Sequence, residues 1–201
     1  MTLSKFPSIV LASSNRGKIN EIQALLAGHK ILPQAQFNII DAAETGATFV
    51  ENAIIKARNA ARYAQLPAIA DDSGIIVDAL NGAPGVISAR YAGIGASDQA
   101  NLEKLLQAMS DVPDQQRQAR FICVMVFIEH ADDPCPLIAE GVWEGLVLRE
   151  AVGTNGFGYD PVFWLPDYQC SSAQLDPVVK NQLSHRGQAL RQLCALINVR
   201  K

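Results

Sequence analysis

Two hydrophobic periodicities alternate along the chain. Short continuous apolar runs, the pattern of strands buried on both faces, occur at residues 8–12, 68–70, 75–79 and 120–130. Between them, apolar residues recur every three or four positions, as in helices lying against a sheet. Ile19, Ile22, Leu25 and Leu26 share one such face. Val50, Ala53, Ala57, Ala60 and Ala64 form the stripe of a long helix, which Thr48-Phe49-Val50-Glu51 opens with a capping box. Ser97-Asp98 caps a third helix bearing Leu102, Leu105, Leu106 and Met109. A short helix at 177–183 carries Lys180, and a final one buries Leu190, Leu193, Leu196 and Ile197. Further strands are predicted at 37–40, 137–149 and 162–165. The runs at 120–130 and 137–149, joined by Asp132-Asp133-Pro134, read as a large antiparallel hairpin with Gly141 and Gly145 as bulges.

Polar islands interrupt this pattern, and each carries two readings. Asp71-Asp72-Ser73-Gly74 stops an apolar run and places carboxylates at a strand end, where Mg²⁺ finds hard oxygen ligands. The same residues also make an ordinary turn. Residues 13–18 form a small loop between strand and helix, a setting that points backbone N–H groups at an anion. The loop is not a P-loop, because Ala12 stands at the first glycine position and Ile19 follows the lysine. Asn15 and Lys18 are candidate phosphate ligands there; the alternative is an N-capped helix with a solvated lysine. Asn52, Lys56 and Asn59 form a polar stripe, which is either functional or the wet side of its helix. The glycine-rich loop at 81–93 is too irregular for an element interior. Phe157 and Tyr159, among the glycines of 153–158, suit either a stacked ring or a packed turn. His185 and Arg186 open a helix where the dipole favours anions, a conflict that points to function.

Composition narrows these options. A chain of 201 residues, 49% hydrophobic and 18% charged, fits one domain of 1–201 with a lobe junction near the polar stretch 111–116. A net charge of −3 argues against a nucleic-acid footprint or a polybasic membrane patch. Phosphate binding must then use a few local cations. Cys123, Cys135, Cys170 and Cys194 form no C-x-x-C pair and read as small residues in a reducing compartment. The N-terminus lacks the apolar core of a signal peptide and no run is long enough to cross a bilayer, so a cytoplasmic protein is expected. Carboxylates (Glu44, Asp71, Asp72), cations (Lys18, Lys56, Lys180, Arg90) and an aromatic ring together describe a Mg-nucleotide site with a metal-activated water.

In this order, the islands resemble the inosine triphosphate pyrophosphatase family, the dITP/XTP pyrophosphatases. The matching stretches are Ser-Asn-Arg-Gly-Lys at 14–18, Glu-Thr-Gly-Ala-Thr-Phe-Val-Glu-Asn-Ala at 44–53 with Lys56-Ala57, and Ala-Asp-Asp-Ser-Gly at 70–74. Gly-Ala-Pro-Gly at 82–85, Ser-Ala-Arg-Tyr-Ala-Gly at 88–93, Gly-Phe-Gly-Tyr-Asp-Pro at 156–161 and Ser-His-Arg-Gly-Gln-Ala-Leu at 184–190 complete them. The resemblance implies an α/β fold with a long mixed sheet flanked by helices, two lobes with a nucleotide cleft between them, and a homodimer. It implies Mg²⁺-dependent hydrolysis of ITP, dITP, XTP and dXTP to monophosphate and pyrophosphate. It assigns Asp72 and Lys56 to catalysis, and Asp72 with Glu44 to the metal. Ser13, Ser14, Asn15, Arg16, Gly17 and Lys18 would cradle the triphosphate with Lys180, and Ser73 would contact substrate. Phe157 would stack on the base while Gly158, Tyr159, Asp160, His185 and Arg186 close around it. A guanidinium only donates, so Arg186 suits a 6-oxo acceptor and not the 6-amino group of adenine. One departure concerns the metal: many relatives carry a second carboxylate where this chain has Ala43, and Glu44 is the residue expected to serve instead. The alternatives are a pyrophosphatase for modified pyrimidine nucleotides and a catalytically weak nucleotide-binding protein.

Overall fold

In the computed structural model, which describes residues 6–26 and 28–200, the first apolar run forms strand β1 (Ile9–Ala12). Helix α1 (Arg16–Leu25) follows, then β2 (Ile31–Pro33), α2 (Phe49–Ala64), β3 (Ala68–Val77) and α3 (Asp98–Ala108). The chain continues through β4 (Gln118–Ile128), β5 (Leu137–Val147), β6 (Phe163–Leu165) and β7 (Cys170–Ser171) to α4 (Pro177–Leu183) and α5 (His185–Val199). The strands form one sheet in the order β2-β1-β3-β4-β5-β6-β7. β1 is parallel to both β2 and β3, whereas β6 is antiparallel to β5 and β7, so the sheet is mixed.

Two compact units share the chain. The first holds the described residues up to Asp72, Cys123–Gly141 and His185 onward; the second holds Ser73–Ile122 and Val142–Ser184. The stretch 111–116, expected as a lobe junction, lies wholly within the second unit.

Alternation along β1 explains the two cores of the first unit. Ile9 and Leu11 pack with Ile22 of α1 and Leu190, Leu193 and Ile197 of α5. Val10 and Ala12 turn the other way, onto Ala53, Ala57, Ala60 and Ala61 of α2. Alanines on α2 let its backbone lie close to the strands. The ends of its expected stripe, Val50 and Ala64, are only half-buried. The capping box is present in full: Thr48 Oγ1 accepts the Glu51 N–H, and the Glu51 carboxylate accepts the Thr48 N–H. In the second unit, Phe163 centres an aromatic group with Phe121 and Trp143, at ring separations of 4.4 and 5.5 Å.

Two strand expectations need correction. No strand forms at 37–40; the edge strand is β2, and residues 34–37 make a 3₁₀ turn closed by Asn38 at φ 52°. Pro33 is tolerated in β2 because that strand lies at the sheet edge. Asp71-Asp72-Ser73-Gly74 is not a turn: β3 runs unbroken through it, and residues 75–77 continue the same strand. Gly141 and Gly145 both lie within β5. A Cβ on Gly141 would lie 2.0 Å from His185 O, and one on Gly145 would lie 2.5 Å from Trp164 O. Close packing requires both glycines.

The second unit also contains a buried cation held by backbone carbonyls. Arg117 donates to Met109 O (2.7 Å), Val112 O (3.1 Å), Val147 O (2.7 Å) and Leu148 O (2.9 Å). It thereby satisfies carbonyls just beyond α3 and at the end of β5. Arg117→Ala strands these acceptors, and a loss of about 2–4 kcal/mol is expected in urea unfolding. A loss under 1 kcal/mol would mean that water replaces the guanidinium.

Candidate functional site

The site-forming feature of the first unit is a difference in strand length. β1 pairs with β3 only as far as Ala12 opposite Ala70, then leaves the sheet for the 13–15 loop. β3 continues, so Asp71 and Asp72 follow immediately beyond the last paired residue. Successive side chains of a strand point to opposite faces, and the two aspartates therefore have different surroundings.

Asp71 lies on the face of α1 and α5. Its Oδ2 is 3.2 Å from Lys18 Nζ and 3.3 Å from Arg186 Nη2, and Cys123 Sγ lies 4.0 Å away. Arg186 also donates to Glu21 at 2.5 Å. Burial alone would raise the Asp71 carboxyl, but the charges of Lys18 and Arg186 outweigh it and hold the group well below the usual carboxylate range. Burial pushes the neighbouring Cys123 thiol up to about 12, with the Asp71 charge adding to the effect, so this cysteine stays protonated. A depressed folded-state pKa stabilises above the unfolded value, near 3.9, and its contribution is lost as pH falls below that. Asp71→Asn is expected to cost about 3 kcal/mol at neutral pH and to flatten the acid limb of stability measured by urea midpoints. An acid limb as steep as in the wild type would overturn this assignment.

Asp72 lies on the α2 face. Its Oδ1 is 2.8 Å from Lys56 Nζ, which also meets Glu44 Oε1 at 3.0 Å. Burial works against the Lys56 ammonium, but the charges of Asp71, Asp72 and Glu44 prevail and raise its pKa, so the ammonium persists. Burial raises the Asp72 carboxyl despite the opposing pull of Lys56, which makes it a better proton acceptor than an ordinary aspartate. Asn52, on the stripe read as either functional or solvated, is completely buried, with its side-chain nitrogen 3.5 Å from Asp72 Oδ2.

The 13–18 loop is built as a helix start. Asn15 Oδ1 accepts the Lys18 N–H at 3.0 Å and caps α1, while Ser13 Oγ accepts the Asn15 N–H at 3.3 Å. Ser14 Oγ donates to Asp41 Oδ2 at 2.6 Å. Arg16 is exposed and Gly17 half-exposed in the first turn. Lys18 is not solvated as a plain capped helix would have it; it is paired with Asp71. His185 and Arg186 are buried at the start of α5. In this unit the structure thus groups Lys18 and Arg186 around Asp71, and Lys56 and Glu44 around Asp72.

The remaining sequence-predicted residues belong to the second unit. Ser73 is half-buried. Asp160 is buried and accepts from Phe157 N (2.8 Å), Ser172 Oγ (2.8 Å) and Lys180 Nζ (2.5 Å). Lys180 Nζ also lies 5.1 Å from the Phe157 ring centroid. Gly156 has φ +77°, and a Cβ there would fall 2.0 Å from Asp160 Oδ2, so only glycine fits. Gly158 N–H is held by Asp98 Oδ2 at 3.0 Å, and the Tyr159 hydroxyl donates to Ser88 O at 2.8 Å. Burial raises the Tyr159 phenol, which remains protonated. The sequence marks Asp98 only as part of a helix cap. No local pattern marks Asp41 or Ser88 for these contacts, and for Asn52 the pattern leaves function and solvation both open. Glu21 had one visible signal, its place one turn after Lys18 on α1.

The profile of the Ham1 family matches residues 9–196. The chain belongs to the Ham1 family. Among Ham1-like relatives, a Vibrio cholerae protein named dITP/XTP pyrophosphatase is 60% identical over 187 residues, covering 92% of this chain and 94% of its own length. A Pseudomonas aeruginosa protein of the same name is 56% identical over 190 residues, covering 94% and 96%. The solved HAM1 protein of Coxiella burnetii superposes with a TM-score of 0.87 at 53% identity, covering 95% of this chain and 98% of its own. The Staphylococcus aureus Ham1 protein gives 0.84 at 40% identity, covering 96% and 100%. These Ham1 structures bear out the α/β class with its mixed sheet.

Proposed function

We infer that this chain hydrolyses deaminated purine nucleoside triphosphates, the inosine and xanthine nucleotides, to the monophosphate and pyrophosphate. The observation that carries the reading is the 60% identity, across nearly the whole of both chains, to a protein named dITP/XTP pyrophosphatase. The α2 face of the first unit supports it with suitable chemistry. Asp72, its pKa raised by burial, is the proposed base for the attacking water. Lys56, held charged by three carboxylates, is the proposed cation for the phosphate undergoing substitution. Lys18 and the backbone N–H groups at the start of α1 are proposed to hold the triphosphate tail with Ser13, Ser14, Asn15, Arg16 and Gly17.

The residues present fit a divalent cation, with Mg²⁺ the proposed one. Among the described residues no three acidic, histidine or cysteine side chains cluster as a ready metal cage. Glu44 and Asp72 nevertheless converge on one ammonium, and a pair of carboxylates completed by substrate phosphates is the usual magnesium arrangement. Such an ion, when bound, neutralises phosphate charge and lowers the pKa of a coordinated water. Glu44 stands in for the carboxylate that Ala43 does not supply. In the second unit, Phe157, Gly158, Tyr159, Asp160 and Lys180 are proposed for the base, with Ser73 on the substrate; His185 and Arg186 of the first unit carry the same proposal. A homodimer in the cytoplasm completes the reading. No helix among the described residues is long and apolar enough to cross a membrane.

The test is pyrophosphate release from ITP, XTP, GTP, ATP and dUTP, with Mg²⁺ present and with it chelated. Turnover of ITP and XTP at least tenfold above GTP and ATP, abolished by chelation, is the expected result. Preference for dUTP would move the enzyme to pyrimidine nucleotides, and binding without turnover would make it a nucleotide sensor. Light scattering at twice the chain mass is expected for the dimer.

A further inference from the structure

We propose that Asn52 is a positioning residue for Asp72, fixing that carboxylate and the loop that carries Glu44 in one arrangement. The proposal rests on the functional reading above, and adds to it the residue that sets the geometry of the two carboxylates. Asn52 lies one turn before Lys56 on α2 and is 0% exposed. A buried amide is costly unless its donors and acceptor are used. Here Oδ1 accepts the Gly46 N–H at 2.8 Å, and Nδ2 lies 3.3 Å from Gly46 O. The same Nδ2 lies 3.5 Å from Asp72 Oδ2, at the outer limit of hydrogen bonding.

One planar amide therefore takes both backbone groups of Gly46 and reaches Asp72 as well. The fit depends on Gly46 having no side chain: a Cβ there would lie 2.5 Å from Glu51 Cβ and 2.8 Å from Asn52 Oδ1. The loop consequently closes directly onto α2. Each oxygen of Asp72 then has its own contact, Oδ1 with Lys56 and Oδ2 with Asn52. Two contacts of different direction fix the rotation of a carboxylate where one would leave it free. Glu44 is held from the same helix, directly by Lys56 and through Gly46 by Asn52. An amide suits the position because it donates without adding charge. An aspartate would add a third carboxylate beside Asp72 and Glu44, and a leucine would fill the space without either bond.

Two substitutions attack this latch from opposite sides. Asn52→Leu removes the amide at similar volume, and Gly46→Ala pushes the loop off it. Each is expected to lower kcat for pyrophosphate release from ITP about 10- to 100-fold, with KM within threefold of wild type, because the displaced group acts on the reacting atoms. A folded Asn52→Leu protein with kcat within threefold of wild type overturns the proposal. So does a kcat loss that follows only the fraction unfolded. A second readout needs no turnover: the side-chain carboxyl ¹³C resonance of Asp72, assigned by its disappearance in Asp72→Asn, is expected to shift in Asn52→Leu. An unmoved resonance overturns the positioning role even if the wild type hydrolyses none of the nucleotides. That last outcome would itself overturn the functional reading and leave the resonance to decide for or against Asn52.

Discussion

Asp72→Asn is expected to lower pyrophosphate release from ITP by about 10²–10⁴-fold, the usual worth of a positioned general base, while leaving the fold intact. The amide keeps the volume and planarity of the carboxylate, so packing against α2 survives. Lys56 keeps its contact with Glu44 at 3.0 Å and stays in place. The fold has a further reason to tolerate the change. Burial raises the Asp72 carboxyl above its unfolded value, so its ionisation opposes folding as pH rises through the folded pKa. Asparagine carries no charge to desolvate. Its thermal midpoint at pH 7 is therefore expected to be no lower than wild type. Activity within tenfold of wild type would sink the base assignment. A midpoint lowered by many degrees would show instead that the Asp72 ion pair holds the unit together.

Gly141→Ala is expected to cost about 3 kcal/mol or more in urea unfolding, the upper range for forcing an atom into a filled space. Its Cβ would sit 2.0 Å from His185 O and 2.7 Å from Ala189 N. Both are backbone atoms of α5, so no rotamer change relieves the clash and the helix itself must move. Gly141 is not among the glycines of positive φ, which makes the penalty steric and not conformational. A loss under 1 kcal/mol would mean that the start of α5 gives way easily, and His185 and Arg186 would then lack a rigid support.

Helices were the legible part of this chain, because each has a stripe and a start signal that act locally. The capping box of α2 was visible as Thr48 and Glu51, and both of its bonds form. The sheet was harder to read. β2 has only three residues and ends in proline, and its pairing with β1 comes from tertiary contact that no local pattern announces. Asp71-Asp72-Ser73-Gly74 has the composition of a turn, yet neighbours in space hold it extended. Lys18 and Arg186 neutralise Asp71, and Lys56 pairs with Asp72. Those cations come from α1, α2 and α5, far apart in sequence, so the compensation could be seen only after folding. The polar stripe on α2 stayed ambiguous for a related reason. A helical period tells which residues share a face; it does not tell whether that face meets water or, as at Asn52, a buried carboxylate.

The continuity of β3 makes the chemistry of this unit a matter of parity. Odd positions such as Ile69 and Asp71 belong to the α1 and α5 side, and even positions such as Ala68, Ala70 and Asp72 belong to the α2 side. Inserting or deleting one residue just before Asp71 would therefore keep both aspartates and exchange their neighbours. A carboxylate matched to Lys18 and Arg186 would face Lys56, and the reverse. Chain length ahead of the pair is thus constrained as tightly as the pair itself, and single-residue length changes there should be less tolerated than many substitutions.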